Sequence, residues 1–196
     1  MTTTERKLKM ELIMLKQQGE YKKGIRAVRA FLKKYPTSTW GKLELAFFLY
    51  HVAMPKRSDQ AIQIYRHVLN EDIYAMHALQ FLSRAYASAK DLKAIPFAEV
   101  AYLLFSNSIT ENNLANVYHM LRHYEKAEYW YRVCIRHAQT KDEAAVLKIN
   151  FASMYCDMKQ YKKADKLFHK ALREKKFVGN PVYAKLVARI KKQVGE

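Results

Sequence analysis

With 196 residues, half of them hydrophobic, the chain can bury one sizeable core, while 5 glycines and 4 prolines are too few to punctuate strands and hairpins, so an all-α fold is expected. A formal net charge of +17 predicts attraction to something anionic: nucleic acid, an acidic protein segment or a phospholipid surface. No window approaches about 18 uncharged apolar residues, which argues against a membrane span, and Lys7, Lys9, Glu11 and Lys16 interrupt the N-terminal segment too regularly for a signal sequence, so a cytoplasmic protein is expected.

The first predicted element, ERKLKMELIMLKQQ, is a helix with cations at helical intervals. It is followed by GEYKKGIRAVRAFLKKYP, a second helical segment that contains Gly19, Tyr21, Gly24, Val28, Phe31 and Pro36. That helix carries Lys22, Lys23, Arg26, Arg29, Lys33 and Lys34. Next come LELAFFLYHVAMPKRSDQAIQIYRHVL, with Leu45, Ala46, Ala61, Tyr65 and Val68, and LQFLSRAYASAKDLKAIPFAEVAYLL, with Leu82, Ala85, Ala94, Ala98 and Ala101. Each reads as a helix pair of looser pattern.

The two pairs that follow align without gaps. Leu114, Ala115, Tyr118, Tyr124, Ala127, Tyr131 and Cys134 recur as Phe151, Ala152, Tyr155, Tyr161, Ala164, Phe168 and Ala171. The small residues let two helices approach closely and the aromatics fill the space beside them. Ser108 with Glu111, and Thr140 with Glu143, have the spacing of capping boxes and mark two helix starts. Finally, Val182, Leu186, Val187, Ile190 and Val194 make one stripe of an amphipathic helix suited to cover the last apolar face of a stack.

This pattern resembles the tetratricopeptide repeat, whose units carry a small residue early in helix A, an aromatic three later and an alanine nine beyond that. The resemblance covers nearly the whole chain and implies a right-handed superhelix of about five antiparallel helix pairs, with units near 5–36, 38–70, 73–105, 109–139 and 141–176 and a capping helix at 180–194. Eleven helices in one domain, 1–196, are expected.

Catalytic and metal chemistry find little purchase. His119 and His123 stand four apart, a spacing that can present two imidazoles to one metal, but no third ligand is obvious. The glycines never cluster, no serine sits in a nucleophile elbow, and Cys134 and Cys156 lie within apolar patterns, where a buried free thiol is the ordinary reading. A non-catalytic protein without cofactor or metal is expected. Most tyrosines, among them Tyr65, Tyr118, Tyr131 and Tyr155, occupy packing positions instead of stacking platforms for bases.

On a helical wheel, Asn113 lies opposite the packing stripe of its helix, and Asn150 occupies the equivalent place one repeat later, opposite Phe151, Ala152 and Tyr155. An asparagine amide both donates and accepts and can pair with the backbone of an extended peptide without reading its side chains. The resemblance adds weight here, because peptide-binding repeats such as those of kinesin light chain are similar in placing asparagine on helix A, the helix that lines the concave groove. The expected groove comprises Asn113, Asn116, Asn150, Ser153, Gln80, Ser83, Glu44, Tyr50 and Tyr86, with both asparagine side chains exposed. A protein or peptide partner of acidic character follows. The alternative is a nucleic-acid or ribosome-associated protein binding through Lys162, Lys163, Lys166, Lys170, Arg189 and Lys192 on the basic outer surface.

Overall fold

A computed structural model describes residues 3–54, 58–174 and 181–194 and, among them, contains eleven α-helices. They are α1 (Thr3–Gln18), α2 (Tyr21–Lys34), α3 (Thr39–Ala53), α4 (Asp59–Glu71), α5 (Met76–Ser88), α6 (Ala94–Phe105), α7 (Ser108–Met120), α8 (Tyr124–His137), α9 (Lys141–Asp157), α10 (Tyr161–Glu174) and α11 (Pro181–Val194). Among the described residues there is no strand, and no helix is long and apolar enough to cross a membrane. The contacts group into two compact units, 1–101 and 102–196.

In each unit, consecutive helices pack as neighbours and alternate helices also touch. The first unit stacks α1 on α2, α2 on α3, α3 on α4 and α4 on α5, with α3 against α5. The second stacks α7 on α8, α8 on α9, α9 on α10 and α10 on α11, with α7 against α9 and α9 against α11. The odd-numbered helices of a unit therefore form one layer, the A layer, with α1 reaching α3 through Lys16 and Glu44, and α2, α4, α8 and α10 pack against it as B helices.

The small residues are what allow this packing. Ala115, Ala127, Ala152, Ala164 and Ala171 are fully buried, as are Ala94, Ala98 and Ala101 of α6. Tyr65, Tyr118, Tyr131 and Tyr155 are core residues, as their periodicity indicates. In the first unit Gly24 lets the Phe48 ring lie against the α2 backbone, where a Cβ would come within 2.3 Å of a ring carbon. At the end of the chain, Leu186 and Ile190 of α11 are buried, whereas the Val182 and Val194 side chains of the expected stripe lie outside the described residues.

The turn from A to B is built the same way four times. Gly19, Lys90, Arg122 and Lys159 all adopt positive φ, between 60° and 71°. The amide after each reaches back to close the end of the A helix, as Glu20 to Leu15, Asp91 to Tyr86, His123 to Tyr118 and Gln160 to Tyr155.

Helix starts agree with the sequence at one place and differ at another. Thr140 caps α9 by accepting from the Glu143 amide at 3.1 Å. The cap of α7 is Asn107, one residue before the expected Ser108, with Thr110 closing the capping box. Asn107 accepts from an amide with a planar carbonyl oxygen, and Ser108 is freed to donate instead to Glu143. Glu111 then pairs with His137 at 2.7 Å instead of folding back on its own helix.

Candidate functional site

The A layer of the second unit presents a continuous polar row. Asn150 of α9 donates to Asn112 of α7 at 3.2 Å. Further along, the Tyr131 hydroxyl donates to Asn116 at 2.8 Å and lies 3.4 Å from Nδ1 of His119. His119 Nε2 meets Asp157 at 2.8 Å, Asp157 receives Arg189 of α11 at 2.7 Å, and Arg189 also donates to the Cys156 carbonyl at 2.9 Å. The His119 hydrogen bond, reinforced by Arg189, holds the Asp157 carboxyl down at about 2. Ser153 stands half-buried between Asn150 and Asp157 on the same helix.

The A layer of the first unit has a different chemistry, aromatic and cationic. Lys16 of α1 sits 2.7 and 2.9 Å from the two oxygens of Glu44 and 4.5 Å above the Phe47 ring. Phe47 packs on His51 at 4.3 Å and edge-on against Phe81 at 5.3 Å, and the Arg84 guanidinium covers Phe81 at 5.6 Å. Burial, with Arg84 and Lys16 nearby, pushes His51 down to about 4, so it stays neutral in a positive field. Among the described residues Arg84 has no carboxylate partner, and Nε2 of Gln80, one turn earlier on α5, is buried without a hydrogen bond.

The expected groove residues divide accordingly. Asn116, Asn150, Ser153, Gln80 and Glu44 are half-buried on the A layers. Four others are corrected. Asn113 is only 4% exposed, because the packed arc of α7 runs from Asn113 and Val117 round to Ala115 and leaves Asn112, Asn116 and His119 as its accessible strip. Its match with Asn150 is one of sequence position, not of environment, and the residue facing Asn150 is Asn112. Ser83 is fully buried and bonds its own helix at the Gln80 carbonyl. Tyr86 is buried and stacks on Phe97, and Tyr50 is buried with its hydroxyl 3.2 Å from Ser88.

The turn geometry explains the slip in α5. Counted back from the positive-φ residue, Tyr86 of Lys90 matches Tyr118 of Arg122 and Tyr155 of Lys159, all buried core tyrosines. On the same count Arg84 matches Asn116 and Ser153, and Gln80 matches Asn112. Aligning the A-to-B turns, and not the looser apolar pattern of this unit, would have moved the site from Ser83 to Arg84. Phe47, Phe81 and Lys16 gave no such signal, since each reads as ordinary packing or solvated charge.

The outer basic residues are partly committed elsewhere. Lys162, Lys166, Lys170 and Lys192 are exposed. Lys163 lies 5.3 Å over the Tyr155 ring, as Lys126 lies 5.3 Å over Tyr118 in the preceding repeat, and Arg189 is paired with Asp157. His123 is the cap of α8 and lies beyond the end of α7, so it does not share a helix face with His119. Both cysteines are free and buried, and desolvation, the largest cause, pushes the Cys134 thiol up to about 12.

Among solved structures, TTC0263, a thermophilic TPR protein of Thermus thermophilus, superimposes with a TM-score of 0.80 at 16% identity, covering 99% of this chain and 100% of its own. The chain has the tetratricopeptide-repeat fold. Structures of MamA are also similar, at TM-scores of 0.56 and 0.55 and identities of 20% and 21%, each covering 89% of this chain and 95% and 93% of their own. No protein-family profile and no curated protein matches the sequence.

Proposed function

We propose that this protein is a non-catalytic interaction module that holds an extended segment of a partner protein on the A-helix layer of a unit. The observation that carries the reading is the set of polar side chains and aromatic rings on the A layers: Arg84 over the Phe81 ring that packs on Phe47 in the first unit, and in the second Asn116 accepting from Tyr131 while Asn150 donates to Asn112. A half-buried guanidinium without a carboxylate gains most from a ligand that supplies acceptors. Backbone carbonyls and acidic side chains of an extended peptide do so, and the net charge of +17 steers an acidic segment toward the protein.

The nucleic-acid alternative draws less support, because Lys163 and Arg189 already have partners within their own unit. Peptides selected from a random displayed library against the intact chain, then measured by fluorescence anisotropy, test the proposal. The expected outcome is that Arg84→Gln or Asn150→Ala weakens binding about tenfold, the size of one hydrogen bond, while Lys166→Gln with Lys170→Gln changes it little. The reverse pattern would move the site to the outer surface.

A further inference from the structure

The first helix hairpin carries a second surface, distinct from the A-layer site. On α1, Leu12 and Leu15 face the core, yet Met10, Ile13 and Met14 on the other side are 61%, 48% and 56% exposed. Spaced i, i+3 and i+4, they form one apolar stripe over about a turn of helix. Lys7, one turn before Met10, lines the cleft between α1 and α2 together with Glu11 of α1 and Lys34 of α2. The outer face of α2 exposes Lys22, Lys23, Arg26, Arg29, Lys33 and Lys34, and α2 contains no acidic residue at all. Among the described residues Lys23 pairs with Glu20 at 3.1 Å, whereas Lys22, Arg26, Arg29 and Lys33 have no carboxylate partner.

We propose that this hairpin docks on an anionic phospholipid surface, with Met10, Ile13 and Met14 entering the boundary between headgroups and acyl chains and the cations of α2 lying against the headgroups. The two halves of the surface call for different chemistries at once. Nucleic acid would satisfy the cations and leave the apolar stripe in water, and a second copy of the chain would bring two arrays of cations together. An anionic bilayer accepts both, since long lysine and arginine side chains reach headgroups while adjacent apolar side chains enter about 5–10 Å deep. The unbranched, flexible methionines suit a fluid surface better than a shaped pocket. This surface does not use the residues of the peptide site, so either reading can fail without the other.

Co-sedimentation with vesicles tests the proposal, comparing phosphatidylcholine alone with phosphatidylcholine containing about 30 mol % phosphatidylserine. The chain is expected to pellet with the anionic vesicles and not with the neutral ones. Met10→Gln, Ile13→Gln and Met14→Gln together are expected to lower partitioning about tenfold, as are Arg26→Gln, Arg29→Gln and Lys33→Gln together, with helical circular dichroism unchanged in both. Absence of the protein from anionic pellets would overturn the proposal. So would full retention by the Met10, Ile13 and Met14 variant, which would reduce the effect to unspecific charge. A dimer in light scattering that this variant converts to monomer would assign the stripe to a second copy, and displacement of vesicles by single-stranded DNA with no effect of the variant would assign the cations to nucleic acid.

Discussion

Gly24 is a residue whose absent side chain matters. A Cβ there would lie 2.3 Å from Cε1 and 2.5 Å from Cδ1 of Phe48, a fully buried ring packed with Val28 and Leu12. Gly24→Ala therefore forces the core apart, and the strain outweighs the better helix propensity of alanine, for a net loss of about 2 kcal/mol in urea unfolding; an alanine variant as stable as the parent would show that Phe48 can withdraw. His51 makes the residue-level electrostatics testable. Its pKa of about 4 in the fold, against 6.5 unfolded, reflects burial first and then Arg84 and Lys16. The unfolded chain thus binds the extra proton between those values, so this residue's contribution is complete above about pH 6.5, declines as pH falls toward 4, and changes no further below. His51→Gln should flatten that part of the stability profile measured by thermal unfolding. An unchanged profile would show that His51 titrates alike in the folded and unfolded chain.

At the scale of elements, the repeated A-to-B turn is the feature that organises the chain. Arg122 and Lys159 take the left-handed conformation at φ of 64° and 60°, where a side chain is strained and Gly19 at 71° is not. Arg122→Gly and Lys159→Gly should each stabilise the protein by about 0.5–1 kcal/mol, seen as a higher urea midpoint; a lower midpoint would mean that their side chains contribute more than the strain they cost. The same turns show what was legible in the sequence. The helix pairs were readable because alanines and aromatics repeat without gaps from Ala115 and Tyr118 to Ala152 and Tyr155, and both sets are buried as that spacing requires. The register of α5 was not, because a looser apolar pattern permits a shift of one residue, and one residue rotates a helical position by about 100°. That shift separates buried Ser83 from half-buried Arg84.

For the molecule as a whole, composition and periodicity were enough for an all-α fold of stacked helix pairs, since scarcity of glycine and proline and a regular apolar stripe are properties of the chain alone. The A-layer site was legible only in part. Asn150, Asn116, Gln80 and Glu44 were visible as polar residues opposite packing stripes, but which flank of a helix a neighbour covers is a tertiary fact, and it buried Asn113 while leaving Asn112 beside Asn150. The cluster of Phe47, His51, Phe81 and Arg84 depends on contacts between α3 and α5 that neither sequence segment announces by itself. The proposed function stands or falls with ligands lying on the A layers. Amide hydrogen exchange of the full chain, with and without a library-selected peptide, reads that surface directly. Added protection is expected in the A helices of a unit, α3 with α5 or α7 with α9, and protection concentrated instead in the B helices α8 and α10 would contradict it.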